Sequence, residues 1–421
     1  MIRIVASSNR HAVSDLLSAT RIRDRATERR AAAIVDSVRR DGDAAVRRFA
    51  LELDGLRGPI ELPRAAWERD ARSLAPAVRR AIARAARQIR SVSKKQLPRG
   101  WRHPVSAGIT VEQRVIPIDR VGCYVPAGRF PLPSSLLMTA IPARTAGVGE
   151  VVVCCPRPDA AVLAAAIEAR VDRLFCIGGA HAIAAMAYGT RTVPRADKIV
   201  GPGNRWVAAA KSLISADCGI DFYAGPTEIV IVTQSGPASW IAADLLAQAE
   251  HDPDARAVLI TTSRRLAESV ASEITRQMPV AGVARESIKR HGGVVVCSGI
   301  DEAIALANRA AAEHVVAGTE SIARRITSAG AVFVGAWTAQ VAGDYAIGSN
   351  HVLPTAGAAR YRGGLNAADF VKLVSVQRLT ERGLRAIAPA VISLARAEGL
   401  DAHARSIAVR LTAKAKKRTA Q

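Results

Sequence analysis

In "LLAQAEHDPDARAVLIT" (245–261), Gln248 and His251 stand three positions apart, with Glu250 and Asp252 beside them, just ahead of an apolar run. Residues i and i+3 share one face of a helix. An amide oxygen and an imidazole so placed could meet one object, and the candidate is a metal ion. "ANRAAAEHVVAG" (307–318) sets Glu313 beside His314 at what reads as the end of a helix. Helix neighbours diverge by about 100°, so both reach one site only if the helix stops there. In that case they could divide acid–base work; otherwise they are solvated surface charges. "GDYAIGSNHVLPT" (343–355) puts Asp344, Asn350 and His351 in a Gly-rich, Pro-ended loop after an apolar strand, where ligands bind in open α/β sheets. In "EGLDAHARS", His403 follows Glu398 by five residues on a helical stretch, a pair that a solvated face also explains.

Gln248, His251, Asp344 and His403 form a set of two oxygens and two nitrogens. Without thiolates, a structural zinc finger is excluded and a borderline metal with positions open to substrate is favoured. Spacing does not assemble the four, since helical geometry links only Gln248 and His251. Two glycine turns add a second kind of site. "KIVGPGNRWVAAAK" (198–211) and "FCIGGAHAIAAM" (175–186) each read as strand, glycine turn and helix, and a helix N-terminus at such a turn favours an anion. Neither matches G-x-G-x-x-G, so a purely structural turn remains an equal reading.

The elements that must position these residues alternate. From residue 120 on, apolar β-branched runs such as "EVVVCCP", "KIVGPG", "EIVIVTQ", "AVLITTS" and "AVFVGAWT" are separated by helix-like stretches such as "AAVLAAAIEAR" and "ASWIAADLLAQAEH". This pattern predicts parallel sheets with helices on both faces, in two blocks divided near "AGPTE". The first 118 residues read as Arg- and Ala-rich helices broken by Gly and Pro, and the chain turns helical again after "HVLPTAGAARYRGGL".

The 421 residues, 49% hydrophobic, suffice for two or three cores. The formal charge of +22 raises the question of nucleic acid, but the arginines are interleaved with acids and aromatics make up only 4%. Charge alone, without a recognition motif, does not indicate that class, and the Lys cluster in "KAKKRTAQ" (414–421) is explained by a frayed terminus. No run reaches the ~20 apolar residues of a membrane span, and the start of the chain lacks the apolar core of a secretory signal. Six cysteines without a C-x-x-C pair read as core residues, so a cytoplasmic protein is expected.

Taken together, "VGCYVPAGRFPLPSSLLMTAIPARTAGV", "GGAHAIAAMAYGT", "GPGNRWVAAAK", "AGPTE", "DLLAQAEHDPDA", "AAEHV", "AGDYAIGSNHVLPT" and "EGLDAHARS" resemble the histidinol dehydrogenase family, in its order and over nearly the whole chain. The resemblance implies oxidation of L-histidinol through the aldehyde to L-histidine with two NAD and one zinc per site, in a cytoplasmic homodimer with shared active sites. It implies Gln248, His251, Asp344 and His403 as zinc ligands, with His403 and Glu398 reaching in from the partner subunit. His314 then matches the general base and Glu313 the activator of water. Thr227, His351 and Glu398 match substrate contacts, to which the four ligands and His314 also belong; Tyr124, His181 and Asn204 match NAD contacts. His181 stands where the family usually has Gln, and Thr227 where it usually has Ser. The implied fold is α/β, with two Rossmann-like, incomplete doubly wound parallel sheets. An N-terminal helical arm (1–18) precedes a metal and substrate domain (19–123 with 227–365), an NAD domain (124–226) and a C-terminal helical extension (366–421) that serves the dimer. A zinc and NAD paralogue acting on another amino alcohol or hydroxy compound is the rival reading.

Overall fold

A computed structural model describes residues 2–18, 24–127, 132–223 and 225–412. The Lys-rich 414–421 stretch and part of "VPAGRFPLP" lie outside the described residues. The strands, in chain order, are β1 (Arg3–Ala6), β2 (Trp101–Ser106), β3 (Ile109–Pro117), β4 (Arg120–Tyr124), β5 (Glu150–Cys154), β6 (Arg173–Phe175), β7 (Lys198–Val200), β8 (Gly219–Ile220), β9 (Glu228–Val232), β10 (Arg256–Thr261), β11 (Gly292–Val296), β12 (His314–Ala317), β13 (Ala331–Val334) and β14 (Val371–Leu379).

They form two parallel sheets and one antiparallel sheet. The first parallel sheet runs β1-β11-β10-β9-β12-β13 and the second β6-β5-β4-β7-β8. Numbered from β9 and from β4, both follow the order 3-2-1-4-5, with the direction of winding switching beside the first strand. Runs such as "EIVIV" are buried at every position, as strands covered on both faces must be. Val13, Leu16 and Leu17 join the helix Ile300–Ala310 in one core of the first sheet, and the helices Ala238–Ala249 and Arg264–Gln277 join the other.

The expected α/β class with two such sheets is therefore what the chain forms, but its divisions differ from those expected. Residues 1–18 are not only helical, because β1 pairs with β11 as the edge of the first sheet. The helices Arg25–Asp41 and Asp43–Asp54 pack on the core of the second sheet, not on the first. Their arginines obscured a short apolar stripe, Ala31, Val35 and Val38, at helical spacing. The helix Pro76–Gln96 likewise packs against the helices Pro133–Ala146 and Ala160–Glu168 of that block.

Contacts divide the chain into two compact units, 1–97 with 118–370, and 98–117 with 371–421. The second unit is only partly helical. It contains the antiparallel sheet β14-β3-β2, with β14 and β3 paired over nine residues, and the mutually packed helices Glu381–Ala397 and Asp401–Thr412. No helix among the described residues is long and apolar enough to cross a membrane.

One turn of the second sheet is held by buried charge. After β7, Gly201 has φ of +116°, and a Cβ there would lie 2.2 Å from the Tyr124 carbonyl oxygen. Asp221 accepts the Gly201 N–H (2.7 Å), Lys211 donates to the Gly201 carbonyl (2.9 Å), and the two side chains pair with each other in full burial. Removing one partner leaves an uncompensated buried charge, typically a loss of about 3–5 kcal/mol. Lys211→Met should therefore lower the urea unfolding free energy by about that amount. A loss below about 1 kcal/mol, the range of exposed pairs, would contradict this account of the turn.

Candidate functional site

A cleft of about 760 Å³ opens where the residues following β4 and β7 (Pro126, Gly201 to Asn204) face those preceding β9 and β12 (Thr227, Glu313). It lies at the carboxyl ends of the switch point in the second sheet, the usual ligand position in such folds. On the first sheet it lies at the amino ends. Asn204, Thr227, His251, Glu313, His314, Asp344 and His351 all line it.

Glu313 and His314 are not at a helix end as expected. The helix Ile300–Ala310 stops at Ala311 in the left-handed region, and His314 is the first residue of β12. Pairing of β12 with β9 brings both side chains to the backbone of residue 228. The Glu228 N–H donates to Glu313 Oε2 (3.0 Å), and the Glu228 carbonyl lies 3.2 Å from His314 Nδ1. A carbonyl only accepts, so Nδ1 carries the proton and Nε2 the lone pair. Nε2 is buried without a hydrogen-bond partner, 3.9 Å from Asp344 Oδ1. Burial holds the His314 pKa down at about 4, which keeps the ring neutral and able to accept.

Thr227 joins two other groups. Its hydroxyl donates to Glu313 Oε2 and accepts from Gln248 Nε2, while Gln248 Oε1 is buried with no partner. Gln248 lies in the helix Ala238–Ala249, and His251 follows the helix, exposed at the cleft. Burial raises Glu313 to about 7, partly opposed by the Thr227 hydroxyl and the Glu228 N–H. Asp344, on the short helix Val341–Tyr345, is also raised by burial and accepts from Gln340 (2.9 Å). His351 is held at about 4 by burial; its Nδ1 faces the Asp344 carbonyl (3.1 Å) and its Nε2 faces Ser135 Oγ (3.3 Å).

The other expected residues are placed differently. Glu398 and His403 belong to the second unit and are exposed there. Among the described residues no three His, Cys, Asp or Glu side chains converge on one point. Asn204 lines the cleft while its side chain caps the helix Arg205–Ile214, taking the N–H groups of Trp206 and Val207. Those N–H groups, expected to be open to an anion, are thus already used. Tyr124 and His181 are buried and do not line the cleft. The Tyr124 hydroxyl accepts the Gly179 N–H (3.1 Å), and His181 Nε2 meets Asp54 Oδ2 (2.9 Å), which also accepts the Gly178 N–H. Both therefore brace the Gly178–Gly179 turn, and the imidazole at 181 finds a carboxylate partner.

Sequence reasoning missed Glu228, whose side chain accepts the Ala356 N–H (2.9 Å) and is raised to about 7 by burial, offset in part by Arg256. A charged residue opening a wholly apolar strand was the available signal. Two parallel sheets in dinucleotide-fold order, with a buried carboxyl and imidazole in the crevice between them, are the arrangement of an α/β enzyme.

Its relatives make the class specific. The profile of the histidinol dehydrogenase family matches residues 18–411. The histidinol dehydrogenase of Methanothermobacter thermautotrophicus is 44% identical over 392 residues, covering 90% of this chain and 92% of that one. That of Thermus thermophilus is 45% identical over 386 residues, covering 90% and 93%. The crystal structure of histidinol dehydrogenase from Elizabethkingia anophelis superposes with a TM-score of 0.92 at 29% identity, covering 97% of this chain and 98% of that one. The chain belongs to the histidinol dehydrogenase family and is an oxidoreductase of that family.

Both buried acids bind protons more tightly folded than unfolded. Their contribution to stability is full below the ordinary carboxyl pKa and is lost as pH rises through about 7. Urea unfolding of metal-free protein should therefore show stability falling between pH 5 and 8, by on the order of 2 kcal/mol per acid. Glu228→Gln, which keeps the acceptor for Ala356, should flatten that slope; an unchanged slope would show that Glu228 is ionised throughout.

Proposed function

We propose that the protein oxidises L-histidinol through L-histidinal to L-histidine, using two NAD and one zinc per active site, as a cytoplasmic homodimer. The observation that carries this reading is the pair at the cleft, a neutral His314 with its Nε2 lone pair free beside a buried Glu313. When bound, zinc supplies Lewis acidity that acidifies the substrate hydroxyl and anchors its nitrogens, and NAD supplies the hydride acceptor.

The residues present fit a metal. Gln248 Oε1 is a buried acceptor without a partner on a side chain bonded to Thr227 of the cleft, which His251 and Asp344 also line. We assign Gln248, His251 and Asp344 as ligands, with His403 contributed from a partner subunit together with Glu398, whose charge suits a cationic amino alcohol. The second unit exposes the large apolar side chains of Trp101, Val105, Leu373, Leu394 and Val409, which a partner chain could cover.

His314 Nε2 takes the alcohol proton, and Glu313, near 7, takes a proton from the water that hydrates the aldehyde. Thr227 and His351 bind substrate on the side of the first sheet. The turn Gly201 to Asn204 on the second sheet, where a Cβ on Gly203 would collide with Val207, would hold the cofactor. Tyr124 and His181 support that half. The first sheet thus serves metal and substrate, and the second serves NAD. Six buried, unpaired cysteines suit a reducing compartment.

Zinc-loaded protein should yield two NADH per L-histidinol, with activity lost on chelation and restored by zinc. Turnover of other amino alcohols without histidinol would overturn the substrate assignment. His314→Ala should reduce turnover by roughly a hundredfold or more while retaining zinc, and co-loss of the metal would contradict the division between base and ligands.

A further inference from the structure

The Thr227 hydroxyl stands between two groups of different function. It has one hydrogen and can also accept. Glu313 Oε2 already accepts the Glu228 N–H and is therefore an accepting oxygen, so the hydroxyl hydrogen goes to it and the hydroxyl oxygen receives Gln248 Nε2. This fixes which end of the Gln248 amide faces Thr227. The nitrogen is consumed, and Oε1 is left as a buried acceptor with nothing else to bind. Gln248 is 1% exposed, so water does not offer its amide an alternative set of partners.

We propose that Thr227 is a positioning residue for the metal: through its hydroxyl it sets the Gln248 amide with Oε1 free to ligate, and ties that ligand to Glu313. The proposal rests on the assignment of Gln248 as a zinc ligand. Outer partners of this kind orient metal ligands, and their loss typically weakens metal binding 10–100-fold. The same hydrogen-bond chain couples the ligand to the water-activating carboxylate, so one side chain serves both halves of the site. The Thr227 methyl has no part in the argument, which makes Ser an equivalent residue and Val, its near isostere, a broken one.

The test is zinc affinity, read without turnover. Wild type, Thr227→Ser and Thr227→Val are stripped with a chelator and titrated with zinc in competition with a chromogenic chelator, and the cobalt-substituted forms are compared by visible absorption. Thr227→Val should bind zinc at least about tenfold more weakly with an altered cobalt spectrum, and Thr227→Ser should stay within about threefold of wild type, well short of that loss. Thr227→Ala carries the same expectation as Thr227→Val and replaces it if the latter does not fold. Zinc binding by the Val or Ala variant equal to wild type would overturn the proposal alone, as would equal weakening in Thr227→Ser. Wild type that binds no zinc would overturn the metal assignment itself.

Discussion

The backbone of one residue, Glu228, holds both buried titratable side chains at the centre of the cleft. Its N–H fixes the Glu313 carboxyl and its carbonyl fixes the His314 ring, so carboxyl and imidazole take their positions from main chain at the start of β9. The register of β9 with β12, which sets His314 opposite Ile229, is what makes this possible. Register in a fully buried sheet is strongly specified, because a slip of one residue exchanges the two faces of the strand. The precision of the site is therefore inherited from sheet pairing. The Glu228 side chain extends the same anchor to the 352–356 loop through Ala356.

Burial then sets the chemistry. The same desolvation raises Glu313 and lowers His314, so the pair coexists as a weakly acidic carboxyl and a neutral imidazole, not as an ion pair. Their separation of 3.6 Å, between Glu313 Oε2 and His314 Nδ1, leaves Nε2 on the opposite edge of the ring without a partner. The partnerless Gln248 oxygen, on a side chain bonded to Thr227 of the wall, is the feature that suits a metal. The second sheet contributes the complementary half, a glycine turn locked by Lys211 and Asp221.

Much of this was legible in residue types and spacing. The βα alternation predicts both sheets, and the cleft gathers Thr227, His251, Glu313, His314, Asp344 and His351 from distant segments. What escaped was set by tertiary contact. "HVVA" is too short and too close to an Ala-rich helix to declare itself a strand, so His314 was read as part of a helix end. The antiparallel strands Ile109–Pro117 and Val371–Leu379 are mixed and half exposed, and they were absorbed into regions read as helical. Tyr124 and His181 lie in glycine-turn segments of the second sheet, but neighbourhood in sequence does not reveal that Gly179 N–H and Asp54 take up their polar atoms.

In the proposed division of one reaction, His314 serves the alcohol and Glu313 the hydrated aldehyde. The decisive experiment counts NADH per L-histidinol in Glu313→Gln while trapping released aldehyde. One NADH is expected for each histidinol consumed, with L-histidinal captured in equal amount. Two NADH per histidinol at the wild-type rate would contradict it and assign water activation to another group.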